Sequence, residues 1–163
     1  MKGLALVSRG MEQTAFKEIR ELICSNSLVE EGCLIFDYKN FEDICLLCYR
    51  SQSIDRVLHL LFEAQFENYF RDFENIFDKC DISEWILPYK KLRVECLRIG
   101  THEFGSIDVE RETSKLIIKK YGGIEVDLKD YQVLFFAYID QNRMYFGVDF
   151  SVFSMSKRGY KAF

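Results

Sequence analysis

The residues able to do acid–base or nucleophilic chemistry are few and scattered. His59 and His102 are the only histidines. His59 lies in the apolar run Val57-Leu58-His59-Leu60-Leu61 and reads as a structural residue. His102 follows Arg98 and Gly100 in a loop ahead of a helix. Two readings stay open for it: a loop histidine bonded to backbone, or a polar contact to a phosphate or ribose where free helix N–H groups favour anions. Cys45 and Cys48 form a lone CxxC, but Ile44, Leu46 and Leu47 around them make that helix face core, and a tetrahedral zinc site would need two further ligands. Glu30-Glu31 has no companion nucleophile or base. The chain contains no GxxxxGK phosphate loop, GxGxxG, HExxH or GxSxG. Pro88 is the only proline, which excludes an Asn-Pro-Pro-Tyr loop and the Pro-Cys-x-x-Cys of a zinc deaminase. These residues point to binding rather than bond-making.

The binding chemistry gathers between Arg98 and Leu128. Ser106 is a candidate N-cap, Asp108, Glu110 and Glu112 occupy the first turns of a helix, and Lys115, Lys119 and Lys120 crowd its last turns before Gly122-Gly123. Lys115, Lys119 and Lys120 share part of one face. They either complement the helix dipole in solvent or contact phosphates. Arg93, Arg98, Arg111 and the closing Lys157-Arg158-Gly159-Tyr160-Lys161 lie in the same half, where Tyr160 is either a tail residue or stacks on an unpaired base, and Phe104 either stacks so or, the favoured reading, packs under the helix. Residues 1–89 carry 9 basic and 16 acidic side chains, whereas residues 90–163 carry 13 and 10. The net charge of −4 thus hides a basic second half and opposes indiscriminate nucleic-acid binding.

The elements that must position these residues follow from periodicity. Leu4 to Ser8 reads as a buried strand, and Met11, Ala15, Ile19, Leu22 and Ile23 recur at helical spacing. Leu28 to Tyr38 reads as a strand and turn or a tight hairpin around Glu30-Glu31-Gly32. Asn40 caps a helix over Phe41 to Arg50 with Phe41, Ile44, Cys45 and Cys48 inward. Ser53 to Phe66 is too continuously apolar to assign by period. Asn68 to Glu84 is an acidic, aromatic helix suited to packing and connection. Lys91 to Ile99 alternates as a half-exposed strand, Val126 to Leu128 reads as a short one, and Gln132–Asp140 and Met144–Asp149 bracket a hairpin turn at Gln141-Asn142-Arg143. Pro88 marks a boundary between units that no flexible linker separates.

With 163 residues, 48% of them apolar, the chain can bury an ordinary core. Its apolar runs are too short for a membrane span and its start is too short for a signal peptide, so a cytoplasmic protein with reduced cysteines is expected.

Four segments together resemble the THUMP domain, the RNA-binding module of several tRNA- and rRNA-modifying enzymes. They are Arg98-x-Gly-Thr-His102-x-Phe104-x-Ser106, the helix ending before Ile124-Glu-Val126-Asp127-Leu128, the paired strands after Tyr131, and Lys157-Arg158-Gly159-Tyr160. The opening Ala5-Leu-Val-Ser-Arg-Gly10-Met11-Glu12, followed by Glu18-Ile19, resembles the ferredoxin-like domain that precedes THUMP in RNA methyltransferases. The resemblance implies an α+β chain, with a ferredoxin-like unit and connecting helix over 1–85, a long strand over Ser53–Phe66, and an α/β THUMP domain over 86–163. It further implies a module that grips RNA, by the acceptor stem or 3′ end of a tRNA, through Arg98, His102, Arg111, Lys115, Lys119, Lys120, Lys157, Arg158 and Tyr160. No catalytic residue, metal or cofactor is expected within these residues. S-adenosylmethionine would belong to a separate methyltransferase domain, either in a longer protein or in a partner subunit. The rival expectation is a protein-interaction adaptor that keeps the fold and uses its aromatics, 15% of residues, at an interface.

Overall fold

The structure, a computed structural model, describes residues 1–151, 154 and 155, apart from the side chains of Tyr69 and Phe70. Lys157, Arg158 and Tyr160 therefore lie outside the described residues. The chain groups into two compact units, Met1–Leu60 with the segment from Asp149 onward, and Leu61–Val148.

The first unit runs β1 (Lys2–Val7), α1 (Glu12–Ile23), β2 (Ser27–Glu30), β3 (Cys33–Asp37), α2 (Phe41–Arg50) and the opening of β4 (Ile54–Gln65). Its strands lie in the order β2-β3-β1-β4, with every neighbouring pair antiparallel. This is the split βαβ arrangement of a ferredoxin-like unit. The helices form because their apolar residues fall on one stripe: Ala15, Ile19 and Ile23 on α1, Ile44 and Leu47 on α2, all buried in one core with Leu34, Phe36 and Val57. Asn40 caps α2, its side-chain oxygen accepting the Asp43 N–H at 3.0 Å.

Two carboxylates hold the connections of this unit. Glu12 accepts the N–H of Gly10 at 2.8 Å and of Gly32 at 3.0 Å, tying the start of α1 to the β2–β3 turn. Glu18 accepts the N–H of Gln52 and Ser53 and the Ser53 hydroxyl, the last at 2.7 Å, tying α1 to the α2–β4 connection. Where the chain returns, Asp149 is buried and bonded to the Arg56 guanidinium, and the Ser151 hydroxyl accepts the Val57 N–H at 2.7 Å. His59 bonds Tyr38 through Nδ1, in keeping with a structural role.

The second unit follows the end of β4 with α3 (Tyr69–Lys79), the short α4 (Ser83–Ile86), β5 (Lys91–Ile99), α5 (Ser106–Tyr121), β6 (Glu125–Val126), β7 (Val133–Asp140) and β8 (Arg143–Asp149). The order is β8-β7-β5-β6, with β5 parallel to β7 and to β6, and β7 antiparallel to β8. β7 and β8 are buried along nearly their whole length, which their unbroken apolar runs require. An aromatic cluster forms the core on one side: Phe77 of α3 meets Phe62 of β4 at 5.2 Å and Phe146 of β8 at 5.0 Å between centroids, and Phe146 stacks on Phe135 at 5.4 Å.

Several expectations change. Cys45 is exposed, and Leu47 rather than Cys45 or the partly exposed Phe41 fills the inner face of α2. The reason is rotational: the core stripe passes through positions 44 and 47, so position 45 turns outward. None of the six cysteines forms a disulfide. Residue 105, not Ser106, is the N-cap of α5, and its N–H is bonded by Asp108 at 2.8 Å. The acidic aromatic helix α3 groups with the second unit, where Phe73 and Phe77 are buried. Among the described residues, no helix is long and apolar enough to cross a membrane.

Two outcomes are expected. Arg56→Met leaves the Asp149 carboxylate buried without its cation and should lower unfolding stability in urea by about 3–5 kcal/mol, with much of the loss recovered by adding Asp149→Asn. Backbone N–H bonds, that of Gly32 foremost, hold the Glu12 carboxyl below its ordinary 4.5. Its stabilising contribution is therefore complete above that value and disappears as pH falls through the lowered one, so Glu12→Gln should flatten the acid limb of a pH–stability profile and leave its neutral region's slope unchanged.

Candidate nucleic-acid interface

Because β5 and β7 are parallel, with Ile99 opposite Asp140, their carboxyl ends deliver the β5–α5 loop and the β7–β8 turn to the same edge of the sheet. Crevices at such strand ends are the usual ligand sites of α/β sheets. The end of β4 joins them, since the Phe66 N–H donates to the Asn142 carbonyl at 3.0 Å, and the Gln141 N–H donates to the Ile99 carbonyl at 3.1 Å. Together these three segments line a concavity of about 500 Å³.

His102 locks this edge. Its Nε2–H donates to the Gln141 carbonyl at 2.5 Å, which leaves Nδ1 to accept from Arg98 Nη1 at 2.9 Å. Arg98 also donates to the Gly100 carbonyl at 3.1 Å. Gly100 has φ +105, a backbone conformation that favours glycine; a Cβ there would stand 2.8 Å from the Gln141 amide, which can swing aside, so the conformation and not the contact calls for glycine. Under His102 pack Phe104, at 4.9 Å between centroids, and Phe66, at 6.5 Å. Phe104 is 7% exposed, so it is mainly a packing residue. The geometry thus favours the backbone-bonding reading of His102: both ring nitrogens are committed, and only a ring face is offered.

The α5 cations are positioned by α3. Val109, Thr113 and Ile117 turn inward, so the lysines between them project outward and sideways. Lys119 pairs with Glu74 of α3 at 2.7 Å, lowering the Glu74 carboxyl and raising the Lys119 ammonium from their ordinary values. Lys120 donates to the carbonyls of Phe77, Asp78 and Cys80, satisfying the C-terminal end of α3. Lys115 pairs with Glu112 at 2.6 Å. Arg111 is exposed and has no ion pair among the described residues. Of the residues singled out from sequence, Arg98 and His102 therefore come together at the strand ends, while Lys119 and Lys120 are spent largely on docking α3.

Glu110 is a further inward-facing group: it accepts the Cys96 N–H at 3.0 Å, and burial raises its carboxyl above the ordinary value. Burial also pushes the Cys96 thiol up to about 12, so it is not a nucleophile. Among the described residues, no three His, Cys, Asp or Glu side chains gather to hold a metal. Phe66, Asn68 and the Gln141-Asn142 turn line the concavity but escaped sequence reading. Their only signal was position, a strand end, a helix cap and a hairpin turn, and nothing local says that these converge.

Comparison with known proteins gives one consistent pattern. Residues 67–149 match the THUMP domain family. The tRNA (guanine(6)-N2)-methyltransferase of Methanocaldococcus jannaschii is 28% identical over 166 residues, a match covering 96% of this chain and 43% of that protein. TrmN from Thermus thermophilus superposes with a TM-score of 0.76 at 20% identity, covering 99% of this chain and 49% of that one. A 4-thiouridine synthetase solved as an RNA complex with bound ATP superposes with a TM-score of 0.62 at 12% identity, covering 91% and 40%. The chain thus spans less than half the length of these relatives.

Lys120→Met should lower stability by about 0.5–1 kcal/mol through loss of the α3 cap, read as a shift in the urea midpoint, whereas Arg111→Ala should leave that midpoint within error.

Proposed function

The chain belongs to the THUMP domain family, and from that premise we propose that it is an RNA-binding module that positions RNA, a tRNA by its acceptor stem or 3′ end, for a modifying enzyme. The observation that carries the reading is the match of residues 67–149 to the family, combined with likeness along 96% of the chain to a protein named as a tRNA methyltransferase. On this reading the chemistry is done by a methyltransferase domain or partner that holds S-adenosylmethionine, and this module contributes affinity and orientation. Arg98, Arg111, Lys157 and Arg158 supply phosphate contacts, Lys115 and Lys119 contribute by exchanging an acidic partner for a phosphate, and Tyr160 stacks on a base. Lys120 acts at one remove, through the placement of α3, and His102 holds the loop with its nitrogens and offers its ring face.

One observation favours a second reading. Lys119 and Lys120 are engaged within the unit, and Leu87, Ile107 and Leu128 are exposed at 69%, 67% and 64%, as an adaptor that binds protein would have them. Against it, the aromatics on which an adaptor would draw are mostly spent in the core, Phe73, Phe77, Phe135 and Phe146 among them.

The two readings separate in a fluorescence-anisotropy titration with a tRNA, and with a minihelix bearing or lacking its single-stranded 3′ end, at two salt concentrations. The RNA reading predicts saturable binding that weakens with salt and without the 3′ end, and that falls about fivefold in Arg111→Glu or Arg158→Glu. Absence of binding at low salt, or binding indifferent to salt and to both variants, would favour the adaptor.

A further inference from the structure

The concavity at the strand ends is lined in a way that selects one part of a nucleotide over another. Its apolar lining is aromatic: the small exposed parts of Phe66 and Phe104, each 7% exposed, with the more open ring of His102 beside them. Its rim carries the carboxylates of Glu67 and Glu103 and the side-chain amides of Asn68 and Asn142. Among the described residues no lysine or arginine lines it. Glu67 and Glu103 are exposed and have no ion pair among the described residues. The Asn68 oxygen already accepts the Arg71 N–H, at 3.3 Å, so that side chain presents its NH₂ group.

A phosphate would meet two carboxylates here and no cation on the lining itself, Arg98 standing behind His102. A nucleobase meets an aromatic floor and acceptors at its edge. The committed nitrogens of His102 leave its ring as a flat surface against which a base can lie. The carboxylates accept hydrogen bonds only, so they suit an exocyclic amine and face unfavourably the two carbonyls that flank the single imino N–H of uracil. We propose that this concavity takes one unpaired nucleobase bearing an exocyclic amino group, with the amine bonded by Glu67 or Glu103 and the attached phosphates held outside it. The inference rests on the RNA-binding reading and adds to it a base preference set by acidic side chains, the opposite sign from those that hold the backbone.

The test is a titration of the isotopically labelled full chain with short oligoadenylate, oligocytidylate and oligouridylate, followed by amide NMR shifts, alongside anisotropy with whole tRNA. The amine-bearing oligonucleotides should bind about tenfold more tightly than oligouridylate and shift Thr101 to Gly105 and Gln141-Asn142, and Glu67→Gln with Glu103→Gln should largely remove that preference. Equal binding of all three oligonucleotides, or a preference untouched by the double variant, would overturn the base assignment. If tRNA binds while the concavity does not shift, the inference fails and the RNA reading survives. If tRNA does not bind at all, both fail.

Discussion

The parallel pairing of β5 with β7 is the constraint on which the second unit depends. Parallel neighbours cannot be joined by a tight turn, so the chain must cross from one end of the sheet to the other, and α5 is that crossover. The crossover has two consequences. It lays the stripe of Val109, Thr113 and Ile117 against the sheet, and it leaves the loop before α5 and the turn after β7 at one edge. There His102 clasps the two, bonding Arg98 at the end of its own strand and the Gln141 carbonyl of the neighbouring turn. A concave site with an aromatic floor is the product of strand direction first and of side-chain choice second.

Electrostatics divide between construction and contact. The acidic first half and basic second half of the sequence suggest lysines free to meet phosphates, yet the folded chain brings acids to them: Glu74 to Lys119 and Glu112 to Lys115. Such exposed pairs are weak and exchangeable, so a phosphate can replace the carboxylate at small cost. Lys120 differs in kind, because its three bonds go to backbone carbonyls that would otherwise lack partners. Arg111 keeps its charge without an ion pair among the described residues, while the concavity at the strand ends is lined by Glu67, Glu103 and aromatic rings.

Much of the fold was legible from local rules. The Asn40 cap, the hairpin turns and the Gly122 stop are written in residue types that permit few other conformations, and β5 was readable from its alternation over Lys91 to Ile99. The long β4 was not, because a run apolar on both faces carries no period, and only family resemblance assigned it. Cys45 was misread as core because one step on a helix separates an inner from an outer face. The site was legible in its loop, where Arg98, Gly100 and His102 stand close in sequence, and illegible where it draws on Phe66, Asn68 and Asn142, which are brought in by pairing between distant segments. The roles of Lys119 and Lys120 were equally out of reach, since the partner helix α3 lies more than forty residues away along the chain.

Hydrogen–deuterium exchange of the chain with and without bound tRNA addresses the central claim most directly, because it reports which backbone segments RNA covers. Slowed exchange should be concentrated at Phe66 to Asn68, Thr101 to Gly105 and Gln141-Asn142, with α1 and α2 of the ferredoxin-like unit little changed. Protection confined to other segments, or an unchanged exchange pattern under conditions where tRNA is bound, would contradict the placement of the RNA site at the carboxyl ends of β5 and β7.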